Sequence, residues 1–236
     1  MKKLVLGALL AVASSAGCSS SSDSLVTVTW KFTHLPDNTA LGCPSGFDTA
    51  TIVSQATDDT THLGAGRMFT DLFDCAAGQG TIRLPDDTYL VWVQIENHSG
   101  SSQYAQSQET FYDTVVDTAP VQAEIIDNGG FFFLTWDLVK ASNGASVSCA
   151  TAGSTSVEGI STSLTTSTND VTDMFACQDH YGTTFPLVEG TYTVQVDALN
   201  SANQGLSETM TLTNKQIVAP NHLTDLGHLL IPITDL

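Results

Sequence analysis

Phe185–Leu199 reads FPLVEGTYTVQVDAL, and Ile82–Glu96 reads IRLPDDTYLVWVQIE. Each holds Thr-Tyr followed by a run in which every second residue is apolar. In one copy these are Tyr89, Val91, Val93 and Ile95; in the other, Tyr192, Val194, Val196 and Ala198. Alternation puts such side chains on one face of an extended chain, so each stretch predicts a half-buried β-strand. VTVTWKF (Val26–Phe32) alternates likewise, with Val26, Val28, Trp30 and Phe32 in phase. FFFLTWDL (Phe131–Leu138) matches it through Phe132, Leu134, Trp136 and Leu138, and its extra Phe131 and Phe133 are placed to face the other copy. The segments between are rich in Ser, Thr, Asn, Asp and Gly. No stretch of ten or more residues keeps a helical period, so the chain is predicted to be all-β, with short strands between frequent turns.

The repetition extends to the cysteines. Cys149 lies 106 residues after Cys43, and Trp136 lies 106 after Trp30. Cys177 follows Cys75 by 102 residues, as Phe175 follows Phe73. Two copies of one pattern result, W…C…F-x-C…T-Y-x-V-x-V. Four cysteines allow three pairings. Because each copy owns two, the pattern predicts Cys43–Cys75 and Cys149–Cys177. Turn signals coincide at Asp127-Asn128-Gly129-Gly130, which divides the chain into copies at 25–126 and 127–236. Leu226–Ile233 (LGHLLIPI) reads as the closing strand of the second copy, held to an edge or a strand end by Pro232.

A turn, then Thr-Tyr, then an alternating strand resembles the tyrosine corner of β-sandwiches, with Tyr89 and Tyr192 in that role. A chain crossing between sheets leaves backbone groups unpaired, and the phenol hydroxyl satisfies one. Gly190 suits a left-handed position in that turn, and Asp87 takes its place in the first copy. The wording as a whole resembles fibronectin type III and immunoglobulin-like domains, and also transthyretin-like domains. With the paired cysteines and early Trp, it is similar to repeated domains in surface lipoproteins of delta-proteobacteria such as myxobacteria. The resemblance implies two tandem β-sandwiches and carries over no catalytic residue.

The N-terminus is an address. Lys2 and Lys3 precede an apolar run from Leu4 to Ala13 and then small residues. This is the plan of an export signal, and the run is shorter than the roughly 20 residues a membrane-spanning helix needs. Ser15-Ala16-Gly17-Cys18 resembles the bacterial lipoprotein signal, although Ser15 stands where that family has Leu. The resemblance implies removal of residues 1–17, lipidation of Cys18 and a polar tether over 18–24. A plain secretory signal cut near Ala13 is the alternative. The expected address is the cell envelope, lipid-anchored at the outer membrane, with secreted or periplasmic as the alternative.

The chain carries 7 Lys and Arg against 25 Asp and Glu, a formal charge of −18. Nucleic acid is thereby excluded as a partner, since binding phosphates requires clustered basic residues. Neither a nucleophile elbow, nor a zinc-protease helix, nor a phosphate loop is present, and no cofactor is expected. His34, His62, His98, His180, His222 and His228 show no ligand-like spacing, and Asp179-His180-Tyr181 is the most site-like of them. Asp58-Asp59 and Asp86-Asp87 are weak calcium candidates without the loop pattern that calcium requires. Trp92 shares its strand face with Leu90. If exposed, Trp92 with Tyr104, Phe111 or Tyr112 would form a sugar-stacking platform. If covered, it is interface core, the reading that large apolar side chains favour. The function expected is therefore non-catalytic, structural or protein-binding in the envelope. The partners are a membrane through the lipid and an envelope protein or glycan; a carbohydrate-binding module or adhesin is the alternative.

Overall fold

The computed structural model describes residues 23–57, 64–163 and 170–234. The export signal, Cys18, tether residues 19–22, Asp58-Asp59 and His62 lie outside the described residues, while the last two positions of the expected tether, Asp23 and Ser24, open the first strand and pair with Pro85 and Leu84. The first half of the chain forms β1 (Asp23–His34), β2 (Thr39–Leu41), β3 (Thr49–Thr57), β4 (Gly64–Asp74), β5 (Gln79–Pro85), β6 (Thr88–Glu96), β7 (Gln103–Gln106), β8 (Thr110–Asp113) and β9 (Val121–Ile126). The second forms β10 (Gly129–Lys140), β11 (Ser146–Val147), β12 (Ser156–Ser163), β13 (Asp170–Ala176), β14 (Tyr181–Thr183), β15 (Leu187–Val188), β16 (Gly190–Leu199), β17 (Met210–Ile217) and β18 (His222–Ile233). A single helical turn, Cys149–Ala152, stands between β11 and β12.

Each half is two sheets face to face. In the first, β1 takes β2 and β5 antiparallel along one edge and β9 parallel along the other. The facing sheet runs β4-β3-β6, with β7 and β8 both on the far edge of β6. The second half repeats this: β10 is flanked by β11, β14 and β15 on one edge and by parallel β18 on the other, opposite a sheet of order β13-β12-β16-β17. In the immunoglobulin order the first strand pairs with the second long strand. Here β1 and β10 pair with neither β3 nor β12, so the connectivity departs from the immunoglobulin order.

The faces read from alternation are those observed. Val26, Val28, Trp30 and Phe32 are buried against Ile52, Tyr89, Val91, Val93 and Ile95 in one core. Phe132, Leu134, Trp136 and Leu138 meet Val157, Tyr192, Val194, Val196 and Ala198 in another. The first core draws on residues between Val26 and Ile125, and the second on residues between Phe132 and Ile233. Each large side chain fully removed from water contributes about 1.5–3 kcal/mol before entropy is counted.

Each half closes with its own disulfide, Cys43–Cys75 and Cys149–Cys177, with sequence separations of 32 and 28. Loops of that size make each bridge worth about 3–4 kcal/mol in the chain-entropy account. In each half the early Trp is tied to the second cysteine. The indole Nε1–H of Trp30 donates to the carbonyl of Cys75 at 2.8 Å, and that of Trp136 to the carbonyl of Cys177 at 3.1 Å. The tyrosines act as corners: Tyr89 Oη–H donates to Pro85 O at 3.0 Å and Tyr192 Oη–H to Val188 O at 2.7 Å. The expected left-handed turn residue is absent at both corners, since neither Asp87 nor Gly190 has positive φ. Gly190 instead opens β16 and pairs with Ile217.

The halves differ at one strand. Where β5 is continuous, its counterpart is split into β14 and β15 by Thr184-Phe185-Pro186. Pro186 has no N–H for the ladder. Thr184 replaces one ladder bond with its hydroxyl, which accepts from Phe132 N at 3.0 Å. The Phe185 N–H turns to Asp173 Oδ1 at 3.0 Å.

Candidate functional site

Between the halves lies a cleft of about 1120 Å³. One wall belongs to the face of the β3-β6 sheet that points away from its core. Leu90 on β6 and Phe111 on β8 are register partners there, with Tyr104 of β7 beside them. The other wall is the outer face of the sheet built on β10, where Phe133 and Thr135 alternate with the core residues Phe132 and Leu134. Tyr181 of β14 and Leu223 of β18 complete it. Tyr181 is 60% exposed and Leu223 42%.

Asn221 bridges the walls with its side chain. Asn221 is 4% exposed. Its Oδ1 accepts from Ile126 N at 2.7 Å, and its Nδ2 donates to Gln106 O at 2.7 Å. Both partners belong to the first half. A φ of +52° at this position is one that Asn tolerates better than most residues. Backbone contacts add to the hold. Asp127 N donates to Thr33 O across the boundary, and Asn221 N is fixed within the second half by Gly129 O. The Asn128 amide clasps both the N–H and the C=O of Leu35 at 2.9 Å. A Cβ on Gly130 would strike the carbonyls of His222 and Val218, so only glycine lets these segments meet.

The structure sorts the sequence candidates. Asp179, His180 and Tyr181 all line the cleft. Phe133 faces the other half, as expected, and Phe131 is buried outside both cores. Trp92 is no platform: it is 7% exposed, and its indole N–H has no partner among the described residues. Tyr112 is also buried, with its hydroxyl donating to Asp117 O at 3.0 Å. Of the four rings considered, Phe111 and Tyr104 reach the cleft. Tyr181 joins them from the second half, as the Asp-His-Tyr run hinted.

The histidines are less scattered in space than in sequence. His180 Nδ1 and His228 Nε2 each lie 3.3 Å from a different Asp137 oxygen, and His180 Nδ1 lies 3.0 Å from the Trp136 carbonyl. Thr135 Oγ1 lies 3.1 Å from His228 Nδ1, which completes a hydroxyl–imidazole–carboxylate chain. Such a chain can activate a nucleophile where backbone N–H groups await the oxyanion. Here Thr135 pairs with β14 on one side and β18 on the other, so its neighbouring N–H groups belong to the ladders. The chain is half-exposed and serves to pin two strands and a turn. Among the described residues no group of three or more His, Cys, Asp or Glu side chains converges to hold a metal. Asp86 accepts from Ser24 Oγ and Asp87 from Thr88 N, which are loop contacts rather than an ion site. No helix among the described residues is long and apolar enough to cross a membrane.

No protein-family model matches the chain. No curated protein matches it. Solved structures with which it aligns include a leucine-rich repeat protein from Bacteroides thetaiotaomicron, at 13% identity and TM-score 0.41, over 90% of this chain and 27% of that one. The fimbrial anchor protein Mfa2 from Porphyromonas gingivalis aligns at 10% identity and TM-score 0.29, over 81% and 83%. The shaft pilin SpaA from Lactobacillus rhamnosus GG aligns at 9% identity and TM-score 0.29, over 91% and 99%. The chain thus spans about a quarter of the first of these. At such scores the likeness carries no argument about site or activity, and the fold is argued from strand pairing alone.

Proposed function

We propose that the protein is a non-catalytic, lipid-anchored component of the bacterial cell envelope that engages a partner protein through the cleft between its two sandwiches, in a structural or adhesive role. The observation that carries the reading is the cleft itself. Both halves supply apolar and aromatic side chains to it, and a buried Asn221 fixes its walls. A pre-set concave site with exposed rings is what a binding surface needs, because less ordering cost opposes association. A carbohydrate-binding module finds no support, since Trp92 and Tyr112 are covered.

The anchor and the cleft are tested separately. Radiolabelled palmitate should enter the wild-type protein and fail to enter Cys18→Ala; continued labelling would remove the lipid from the account. A photo-crosslinking amino acid at position 181 should trap a defined envelope protein, while the same group at exposed position 201 should not. Equal trapping from both positions would remove the cleft.

A further inference from the structure

The chemistry of the cleft narrows the kind of partner. The charged residues that line it, Glu109 and Asp179, are both acidic, and neither Lys nor Arg is among the lining residues. The whole chain carries a formal charge of −18, so the surrounding field has the same sign. The cleft also runs along a sheet edge. β14 pairs with β10 in the register Phe133–Thr183, Leu134–Gly182 and Thr135–Tyr181. The bonds from Trp136 N to His180 O and from Thr184 N to Phe132 O fix which residues of β14 face β10. By alternation, the N–H and C=O of Tyr181 and Thr183 point the other way. No strand among the described residues pairs with that edge. Natural edges are guarded by short strands, Lys, Pro or an inward charge. Tyr181-Gly182-Thr183 carries no Lys, Pro or charge; its length of three residues and Pro186 just beyond limit it to a short guest strand.

From these features we infer that the cleft receives an extended, cationic polypeptide segment, which adds as a short strand to the β14 edge and sets Lys or Arg side chains against Glu109 and Asp179. Strand addition supplies main-chain hydrogen bonds, while alternate side chains of the guest fall beside Tyr181 and Thr183. The acidic lining steers a basic guest and rejects an acidic one. A glycan would use the rings but would need neither the open edge nor the acidic pair. The inference rests on the cleft being the binding site.

The test uses the full mature chain and a fluorescein-labelled peptide, Lys-Lys-Thr-Val-Thr-Val-Thr-Lys-Lys, followed by anisotropy. The lysine-flanked peptide should bind, and its glutamate-flanked counterpart should not. N-methylation of the central backbone amides should abolish binding, since it removes the strand's donors. Joint Glu109→Gln and Asp179→Asn substitution should weaken binding about fivefold and flatten its salt dependence. Equal binding of the two flanked peptides, or undiminished binding of the N-methylated one, would overturn the inference. Failure of the lysine-flanked peptide, with position 181 still trapping a protein, would overturn the partner's chemistry and leave the cleft standing. Binding to a glycan array, lost on Tyr181→Ala, would do the same. Failure of both peptide binding and trapping would remove the cleft and the inference together.

Discussion

Asp173 stands on the inner face of β13, 3% exposed. Its Oδ1 accepts the Phe185 N–H, while Oδ2 has no partner among the described residues. Burial pushes its carboxyl above the ordinary carboxylate range, against the weaker pull of the Phe185 amide. The folded state therefore holds this proton more tightly than the unfolded chain. The contribution of Asp173 is fully present below the unfolded pKa and is lost as pH rises through the folded one. Asp173→Asn keeps the acceptor and removes the charge. It should raise the urea midpoint at pH 7 and change it little at pH 3; a loss at pH 7 that is absent at pH 3 would show the charge to be useful. The tryptophans are a second case at this scale. Trp30→Phe and Trp136→Phe keep most of the apolar volume but remove the indole donor to a buried cysteine carbonyl, which is left with only the longer bond from Gly78 N at 3.3 Å or His180 N at 3.4 Å. Each should cost about 0.5–1.5 kcal/mol in denaturant unfolding. The shared offset of Trp and Cys was legible as a repeat. The hydrogen bond from each Trp to the second cysteine of its copy was not, because a strand pattern shows which face a side chain takes and not what it reaches.

Strands, faces and disulfide partners were largely readable, because alternation and the duplicated cysteines are local or self-comparing signals. Strand order was not: β1 alternates in the same way whether its neighbour is β3 or β5. The split of β14 from β15 was signalled by Pro186, which cannot donate to a ladder. A glycine in each half was also within reach of the sequence and went unread. Gly80 follows Cys75 by five residues, and Gly182 follows Cys177 by five. A Cβ on either would enter the ring of Phe73 or Phe175, the Phe of F-x-C. Those rings pack on Trp30 and Trp136, with centroids 6.2 and 5.8 Å apart. Glycine, phenylalanine and tryptophan thus form one stack beside each disulfide. Gly182→Ala should destabilise by about 1–3 kcal/mol through overpacking. Thermal unfolding of Gly182→Ala beside Gly205→Ala, where a Cβ meets nothing, would separate packing from backbone effects. Equal shifts in both would sink the stack.

At the scale of the molecule, the duplication made a surface that neither half has alone. Phe111 and Tyr181 belong to different copies and line one cleft because the linker, Gly130 and the turn before β18 converge. Little of that was written locally. Asn221 reaches Ile126 across 95 residues and Gln106 across 115. An Asn after Ala-Pro reads as an ordinary turn, and only the assembled halves show it buried. The cleft, and with it the proposed binding of a basic strand, depends on this junction being fixed rather than hinged. Pulsed electron-spin distance measurement between labels at positions 101 and 202, exposed residues in different halves, tests this directly. The wild-type chain should give a single narrow distance distribution. Asn221→Gly, which keeps the left-handed backbone and deletes both bonds, should broaden it. A distribution already broad in the wild-type protein, or unchanged by Asn221→Gly, would contradict a fixed cleft.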